Sequence, residues 1–210
     1  MKIGIIGSGN MGKGLGTLWA KKGHQVFFSF SRDAEKLRNI AYGAPNATCG
    51  SPADAVKASD VILLSVRWTV VPEAITAAGP LDGKVLIDCT NPLLPDLSGL
   101  AIGHTTSAAE EIVKMAPGAR VVKAFNTVFA EVYSSPSRLS GSRMSSMFFC
   151  GDDPEAKKDV LRLITDVGFQ PIDCGGLLSA RLLEPLAMLV IHLGYGMGMG
   201  TGIGLSLMRR

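Results

Sequence analysis

The chain opens on Lys2-Ile3-Gly4-Ile5-Ile6-Gly7-Ser8-Gly9-Asn10-Met11-Gly12, and this stretch decides its fold. A short apolar run, typical of a β-strand, is followed by glycines in the G-x-G-x-x-G order. In such a turn the first glycine permits a tight reversal, the second lets the backbone approach a pyrophosphate, and the third lets the next helix pack closely on the strand. The N-terminus of that helix offers free N–H groups and a partial positive charge to the phosphates. The stretch therefore predicts a dinucleotide-binding turn.

A helical pattern follows the glycines, with Met11, Leu15, Leu18 and Trp19 recurring on one face. This helix is predicted to end at Gly23, after two lysines that suit the negative end of a helix dipole. A glycine turn between a strand and a helix is the context that the fingerprint requires. We therefore favour a dinucleotide site over an ordinary glycine turn in a βα unit.

The end of the second predicted strand, residues 25–30, indicates which dinucleotide is bound. An acidic residue at this place bonds the ribose 2′-hydroxyl of NAD, whereas an arginine accommodates the 2′-phosphate of NADP. Here the strand is followed by Ser31, Arg32 and, one helical turn on, Lys36. A hydroxyl, a guanidinium and an ammonium suit a phosphate dianion, so we predict NADP(H). The alternative is that Ser31 caps the next helix beside a solvated Arg32, with Asp33 as a first-turn acid; both interpretations are compatible.

Further apolar runs alternate with helical patterns along the rest of the chain. Strands are predicted at residues 48–49, 61–65, 84–88, 120–124, 147–150 and 170–173. This alternation predicts an α/β fold, a Rossmann-like doubly wound, mostly parallel sheet, in which ligands bind outside the carboxyl ends of the strands. The predicted cofactor-binding residues are Gly7, Ser8, Gly9, Asn10, Met11, Gly12, Ser31, Arg32, Lys36, Ser65, Val66, Trp68, Thr90, Asn91, Pro92 and Asn126.

The C-terminal segment has an unusual composition. Residues 179–193 predict a helix that is apolar nearly all round, and glycines then occupy every second position from 194 to 204. No charged residue lies between 185 and 208, and Arg209-Arg210 follow, so length alone admits a membrane helix. The glycine period fits no helix face and costs on the order of 1 kcal/mol per glycine in a helix. We therefore predict a buried helix and a close-packing tail rather than a membrane span.

An apolar helix near the end of a chain must be covered, and a second copy of the chain is the simplest cover. We predict a homodimer, and we divide the chain into an NADP-binding Rossmann-like domain, residues 1–178, and a C-terminal helix with a glycine-rich segment at the dimer interface, residues 179–210. The 47% of hydrophobic residues against 19% charged agrees with a buried subunit interface.

The remaining composition excludes several function classes. A net charge of +3 without a basic run argues against nucleic acid as a partner. Four scattered cysteines without a C-x-x-C pair indicate reduced thiols in the cytoplasm rather than a zinc cluster or redox dithiol, and no metal site is predicted. The first strand begins at residue 2, so no signal peptide is expected.

The strand tips offer few candidates for acid–base chemistry, and no catalytic residue is identified. Trp68 is expected either to flank the nicotinamide or to pack at the rim of the sheet. Residues 90–92 are expected either to border the nicotinamide ribose or to form a plain turn. Lys123 and Asn126 supply hydrogen-bond donors to an acceptor ring, or Lys123 is an edge residue with its charge in water. None of the three histidines has a placed partner. Hydride transfer between stacked rings needs orientation more than a proton carrier.

An ordered set of motifs over essentially the whole chain resembles the NADP oxidoreductase family that depends on coenzyme F420, an 8-hydroxy-5-deazaflavin. The motifs are Gly7 to Gly12, Ser31-Arg32 with Lys36, Asp88-Cys89-Thr90-Asn91-Pro92, Lys123-Ala124-Phe125-Asn126-Thr127, Gly151-Asp152-Asp153 and Ser179-Ala180-Arg181-Leu182-Leu183-Glu184. The resemblance implies a compact Rossmann-like domain, a dimer formed with help from the C-terminal segment, and hydride transfer between NADPH and a small-molecule acceptor such as a deazaflavin or flavin.

Two positions depart from the family pattern and concern the acceptor. In the archaeal deazaflavin reductases the tip after the fourth strand resembles Pro-Trp, where this chain has Arg67-Trp68. Those enzymes also have a histidine at the position of Asn126. Two other functions therefore stay open: reduction of a small carbonyl or imine, as in the β-hydroxyacid dehydrogenase and pyrroline-carboxylate reductase relatives, and non-catalytic NADP binding.

Overall fold

The computed structural model of the protein describes residues 1–134 and 144–208. Within these residues one eight-stranded sheet has the order β3-β2-β1-β4-β5-β6-β7-β8. Its strands are β1 Lys2–Ile6, β2 Gln25–Ser29, β3 Ala47–Cys49, β4 Val61–Leu64, β5 Val85–Asp88, β6 Arg120–Lys123, β7 Ser146–Gly151 and β8 Gln170–Asp173. β1 to β6 are mutually parallel, whereas β7 is antiparallel to β6 and β8 is parallel to β7. The predicted mostly parallel, Rossmann-like sheet is confirmed, and the tips of β1 to β6 share one edge.

Helices cover both faces of this sheet. They are α1 Asn10–Lys21, α2 Ala34–Tyr42, α3 Pro52–Ala58, α4 Val71–Ala78, α5 Ala108–Met115, α6 Ala130–Ser134, α7 Pro154–Asp166 and α8 Ala180–Ile191. One hydrophobic cluster joins the sheet to α1, α2, α6 and α7, with Trp19 fully buried in it. A second cluster lies on the other face, under α3, α4, α5 and α8. The sheet is therefore dry on both sides, as continuous apolar strands predict.

The C-terminal helix is buried on one face only within a single chain. Ala180, Leu183 and Ala187 pack inward, while Leu182 and Leu189 are 71% and 51% exposed. Within the described residues one stretch, Leu177–Gly196, has the length and apolar composition of a membrane-crossing helix, a test that core helices of soluble proteins also pass.

The glycine-rich tail returns to the sheet. The Ser146 N–H donates to the Leu205 carbonyl at 2.7 Å, and the Leu207 N–H donates to Ser146 Oγ at 2.9 Å. The tail thus satisfies backbone and side-chain groups at the start of β7. Arg209-Arg210, the charged pair that follows the apolar segment, lies outside the described residues.

Candidate active site

The glycine turn after β1 has the geometry that its sequence predicts. Gly7 adopts a φ of +106°, and a side chain there would also lie 2.6 Å from the Ser65 carbonyl oxygen, so only glycine fits. A Cβ on Gly12 would overlap the Gly7 carbonyl oxygen, which is how α1 approaches β1 so closely. Gly9 is the N-cap of α1, and a Cβ there would meet nothing within 4 Å. The open space lies where free N–H groups of the helix point outward.

A cleft of about 930 Å³ extends from this turn along the tips of β1, β2, β3 and β4. Eight of the predicted cofactor residues line it: Gly7, Ser8, Gly9, Ser31, Arg32, Lys36, Ser65 and Val66. The other lining residues are not among those predicted from the sequence: Phe30, Asp33, Leu37, Gly50, Ser51, Pro52, Arg67, Thr69, Val70, Glu73 and Ala77. Residues 50–52 follow β3, so the rule that ligands bind at strand tips was the signal that could have found them.

The loop after β2 settles the roles of the residues around Arg32. Asp33, rather than Ser31, is the N-cap of α2, because its side chain accepts the Lys36 N–H at 2.9 Å. The Ser31 hydroxyl instead donates to the Asp33 carbonyl at 2.9 Å. The alternative assignment of Ser31 as the cap is therefore wrong. Arg32 and Lys36 are exposed and form no ion pair with any residue that the structure describes, so both cations are available to an anion.

The predicted residues at the tips of β5 and β6 form a separate group on the same edge of the sheet. Asn91 Nδ2 donates to the Asn126 carbonyl at 2.9 Å, and Asn126 Nδ2 donates to Asn91 Oδ1 at 3.1 Å. These reciprocal bonds bring the two tips together, although neither residue lines the cleft. Thr90 and Pro92 are buried beside them.

The other predicted residues outside the cleft lining lie close to its ends. Asn10 is exposed at the start of α1, and Met11 packs partly buried against the core beneath that helix. Trp68 opens a short 3-10 turn before α4 and packs partly buried against the hydrophobic cluster on that face. Two roles were considered for Trp68, flanking the nicotinamide and packing at the rim of the sheet. In the single chain it packs at the rim.

Lys123 differs from both of the roles considered for it. Its side chain is fully buried, and its ammonium donates to Asp88 Oδ2 at 2.8 Å and lies 2.8 Å from Glu184 Oε1. The charge of Lys123 is therefore neither in water nor free to reach an acceptor ring. Burial alone would lower the pKa of Lys123, but the two carboxylates together outweigh it and raise that pKa above its usual value. Burial raises the pKa of Glu184, against the opposing attraction of Lys123.

Asn126 likewise uses its donors inside the protein. Besides Asn91, its Nδ2 donates to the Leu183 carbonyl of α8 at 3.0 Å, whereas its Oδ1 has no hydrogen-bond partner among the described residues. Within the described residues, the buried side-chain oxygens that lack a hydrogen bond are Thr90 Oγ1, Asn126 Oδ1, Thr127 Oγ1 and the Tyr133 hydroxyl. Three of the four belong to the tips of β5 and β6. Such atoms are rare in folded proteins, and each calls for an explanation such as a catalytic role, a water molecule or an ion.

His24 lies away from this edge, and the thiols of Cys89 and Cys150 have raised pKa values. His24 precedes β2, at the opposite edge of the sheet, and contacts Asp166 at 3.0 Å. Burial raises the pKa of the Cys89 thiol far above its usual value and that of Cys150 to about 12. Among the described residues no group of three His, Cys, Asp or Glu side chains has the arrangement of a metal site.

The fold and this edge of the sheet can be compared with known proteins. A family model described as NADP oxidoreductase, coenzyme F420-dependent, matches residues 2–92. The F420-dependent NADP reductase of Methanothermobacter thermautotrophicus is 31% identical in an alignment of 218 positions. The alignment covers 92% of this chain and 89% of that protein. This chain belongs to the F420-dependent NADP reductase family. The family resemblance seen in the sequence is confirmed, and the protein is an NADP-dependent oxidoreductase.

One further relative in sequence and two solved structures are also similar to this chain. Rat metalloreductase STEAP3 is 31% identical over 187 residues, which cover 89% of this chain but only 36% of that longer protein. A crystal structure from Arthrobacter sp. FB24, described as a candidate F420-dependent NADP reductase, has a TM-score of 0.88 at 29% identity over the full length of both chains. A reductive aminase from Aspergillus terreus in complex with NADPH has a TM-score of 0.69 at 22% identity, which shows the fold alone.

The residues of the cleft fit the cofactor of this NADP reductase family. The space beside Gly9 would be filled by a Cβ, and the N–H groups at the start of α1 face it. The cations of Arg32 and Lys36 are unpaired within the described residues, on the side of the cleft where a 2′-phosphate would lie. Helix N-termini and unpaired cations are the donors that phosphate groups require.

Proposed function

We propose that this protein transfers a hydride between NADPH and a deazaflavin or flavin-like acceptor such as coenzyme F420. The observation that carries the proposal is the cleft that joins the glycine turn to Arg32 and Lys36, which have no ion-pair partner in the described part of the chain, in a member of the F420-dependent NADP reductase family. When bound, NADPH supplies the hydride chemistry, and the protein supplies binding, orientation and exclusion of water.

Each part of the proposed NADP site has a separate physical task. The turn from Gly7 to Gly12 and the N-terminus of α1 hold the pyrophosphate, because the backbone approaches closely and offers N–H groups. Ser31, Arg32 and Lys36 bind the 2′-phosphate through charge-assisted hydrogen bonds. The nicotinamide half lies toward the tips of β4, β5 and β6. The residues proposed to border it are Ser65, Val66, Trp68, Thr90, Asn91, Pro92 and Asn126.

The proposed reaction needs no dedicated acid or base among these residues. A hydride moves directly between two planar rings when they are held in contact and aligned, and orientation of this kind accelerates reactions strongly. The ammonium of Lys123, at the tip of β6, is held by acceptors within the protein. We therefore assign no catalytic side chain, and we propose that the reaction depends on geometry.

We further propose a cytoplasmic homodimer in which residues 1–178 bind NADP and residues 179–210 form the interface. The support is an apolar surface that the single chain leaves uncovered along and beyond α8: Leu178, Leu182, Leu189, Tyr195, Met197 and Met199, each more than half exposed. Contiguous apolar surface of this kind marks an interaction site. Neither nucleic acid nor a membrane is among the proposed partners.

One set of measurements tests the proposed reaction. Purified protein is titrated with NADPH and NADH and then mixed with coenzyme F420, FMN or a cyclic imine while the absorbance of the reduced nicotinamide is followed. We expect tighter binding of NADPH and rapid oxidation by F420 or FMN. Oxidation by the imine alone would make the protein an imine reductase, and tight NADPH binding without oxidation by any acceptor would make it a binding protein.

A further inference from the structure

The buried charges at the tips of β5 and β6 join three separate parts of the chain. Lys123 ends β6, Asp88 ends β5, and Glu184 belongs to α8; each is completely buried. Glu184 also accepts the N–H groups of Ala108 at 2.9 Å and Ala109 at 3.3 Å, at the start of α5. The N-terminus of α5 is thereby capped by a carboxylate from another helix. The Lys123 ammonium therefore joins β6 to β5 and α8, and Glu184 links α5 to the same cluster.

The same cluster holds the backbone of Thr90 from both sides. The Thr90 N–H donates to Asp88 Oδ1 at 2.8 Å, and the Thr90 carbonyl accepts from Lys123 Nζ at 2.6 Å. The next residue, Asn91, is then fixed to Asn126 by the reciprocal side-chain bonds described above. With its main chain held at both groups, Thr90 is restrained relative to the tip of β6.

Stability alone does not explain a cluster of this kind. Removing charges from water costs several kcal/mol per ion, and well-packed apolar residues of similar volume are often as stabilising as a buried ion pair. What a fully hydrogen-bonded ionic cluster adds is a single fixed arrangement of the segments it joins. The segments joined here carry Thr90 Oγ1 and Asn126 Oδ1, two of the buried oxygens without a partner.

We propose that Lys123 is a positioning residue for the nicotinamide half of the NADP site, acting through the Thr90 backbone without touching the cofactor. This proposal rests on the proposed function. Under this proposal the two halves of the site are separate. The adenosine half is formed by the turn after β1 and the loop after β2, and the Lys123 cluster, which consists of Lys123, Asp88 and Glu184, does not contact either. Loss of Lys123 should therefore misplace the reacting ring while the adenosine half still binds.

The variant Lys123→Met tests this separation, with Lys114→Met as the matched control. Lys114 is a solvent-exposed lysine of α5, paired only with Glu111 on its own helix among the described residues. Three quantities are measured: the Kd of adenosine 2′,5′-bisphosphate, the fluorescence and anisotropy of bound NADPH, and kcat and KM with F420 or FMN. The bisphosphate reports the adenosine half and the folded state, whereas NADPH fluorescence reports how firmly the nicotinamide is held, whether or not an acceptor reacts.

For Lys123→Met we expect the Kd of the bisphosphate to change less than about twofold, the enhanced fluorescence of bound NADPH to be lost, and kcat to fall about 100-fold, as misplacement by about 1 Å produces. Lys114→Met should behave as wild type in all three. Unchanged fluorescence and kcat in a folded Lys123→Met protein would overturn the proposal. Wild-type protein that binds neither the bisphosphate nor NADPH would instead refute the proposed function.

A second variant covers the case in which Lys123→Met does not fold. Glu184→Gln keeps the Lys123 contact with Asp88 and keeps an acceptor for the start of α5, but removes one charge from the cluster. We expect a smaller change in the same direction, with kcat reduced about tenfold and the bisphosphate Kd retained. If both variants lose bisphosphate binding together with activity, the cluster is a folding element and the positioning role is wrong.

Discussion

Replacing both Arg32 and Lys36 by alanine should convert a preference for NADPH into near indifference between NADPH and NADH, and Arg32→Ala alone should remove about half of that preference in free energy. Arg32 and Lys36 are the two cations proposed to face the 2′-phosphate, and neither has an ion-pair partner among the described residues. The phosphate has no counterpart in NADH, so whatever these residues contribute is absent from NADH binding. The difference between the two cofactors thus measures the contribution directly.

The size of the effect follows from the exposure of the two side chains. A hydrogen bond to a charged group contributes about 1.5–3 kcal/mol, and since both cations are solvent-exposed we take about 1.5 kcal/mol for each. A change of about 1.4 kcal/mol corresponds to a tenfold change in Kd. Arg32→Ala and Lys36→Ala should each weaken NADPH about tenfold, and the double variant should approach 100-fold if the two are independent.

Fluorescence titration with NADPH and NADH measures both dissociation constants, and Arg38→Ala is the matched control. Arg38 is an exposed arginine of the same helix that does not line the cleft. Its loss should leave both constants unchanged. Equal weakening of NADPH and NADH by Arg32→Ala, or unaltered NADPH binding in the double variant, would refute the assignment of the phosphate site.

Three further predictions concern the turn, the pH dependence and the dimer. Gly9→Ala should weaken NADPH binding without lowering the melting temperature, because its Cβ enters open space, whereas Gly12→Ala should lower the melting temperature through overlap with the Gly7 carbonyl. Burial lowers the pKa of His24 below its ordinary value of 6.5, so folding favours the neutral imidazole. The stability that this contributes is complete above pH 6.5 and is lost as the pH falls through the folded-state pKa. The urea midpoint should therefore drop more between pH 7.5 and 5 in wild type than in His24→Gln. Leu182→Arg should yield monomers in light scattering, whereas Leu161→Arg, at an exposed leucine of α7, should leave the dimer intact.

The parallel part of the fold could be predicted well from the sequence, because its two signals, the apolar strand runs and the glycine turn, are both local. Apolar runs mark strands that are buried on both faces, and β2, β4, β5 and β6 end within a residue of their predicted ends. The glycine turn is equally local, since the φ of Gly7 and the close approach at Gly12 need no distant residue to be recognised. Eight of the sixteen predicted cofactor residues line the cleft for the same reason.

The sequence could not predict the environment of Lys123. A lysine at the end of a strand is ordinarily solvated, and here its partners Asp88 and Glu184 come from a neighbouring strand and from a helix late in the chain. Two phenylalanines show the same limit. Phe30, directly after β2, and Phe125, two residues after β6, adopt positive φ values of 57° and 64°, which no property of phenylalanine favours.

The two halves of the proposed NADP site differ in their exposure to water, and affinity and rate should therefore respond differently to salt. The cations at the 2′-phosphate are exposed, so raising the ionic strength from ~0.1 M to ~1 M, which shortens the Debye length from ~10 Å to ~3 Å, should raise the KM for NADPH. The Lys123 cluster is completely buried and is screened much less, so kcat at saturating NADPH should stay constant. A kcat that falls with salt as steeply as the affinity would mean that the nicotinamide half also depends on exposed charges, and the division of labour between the two halves would be wrong.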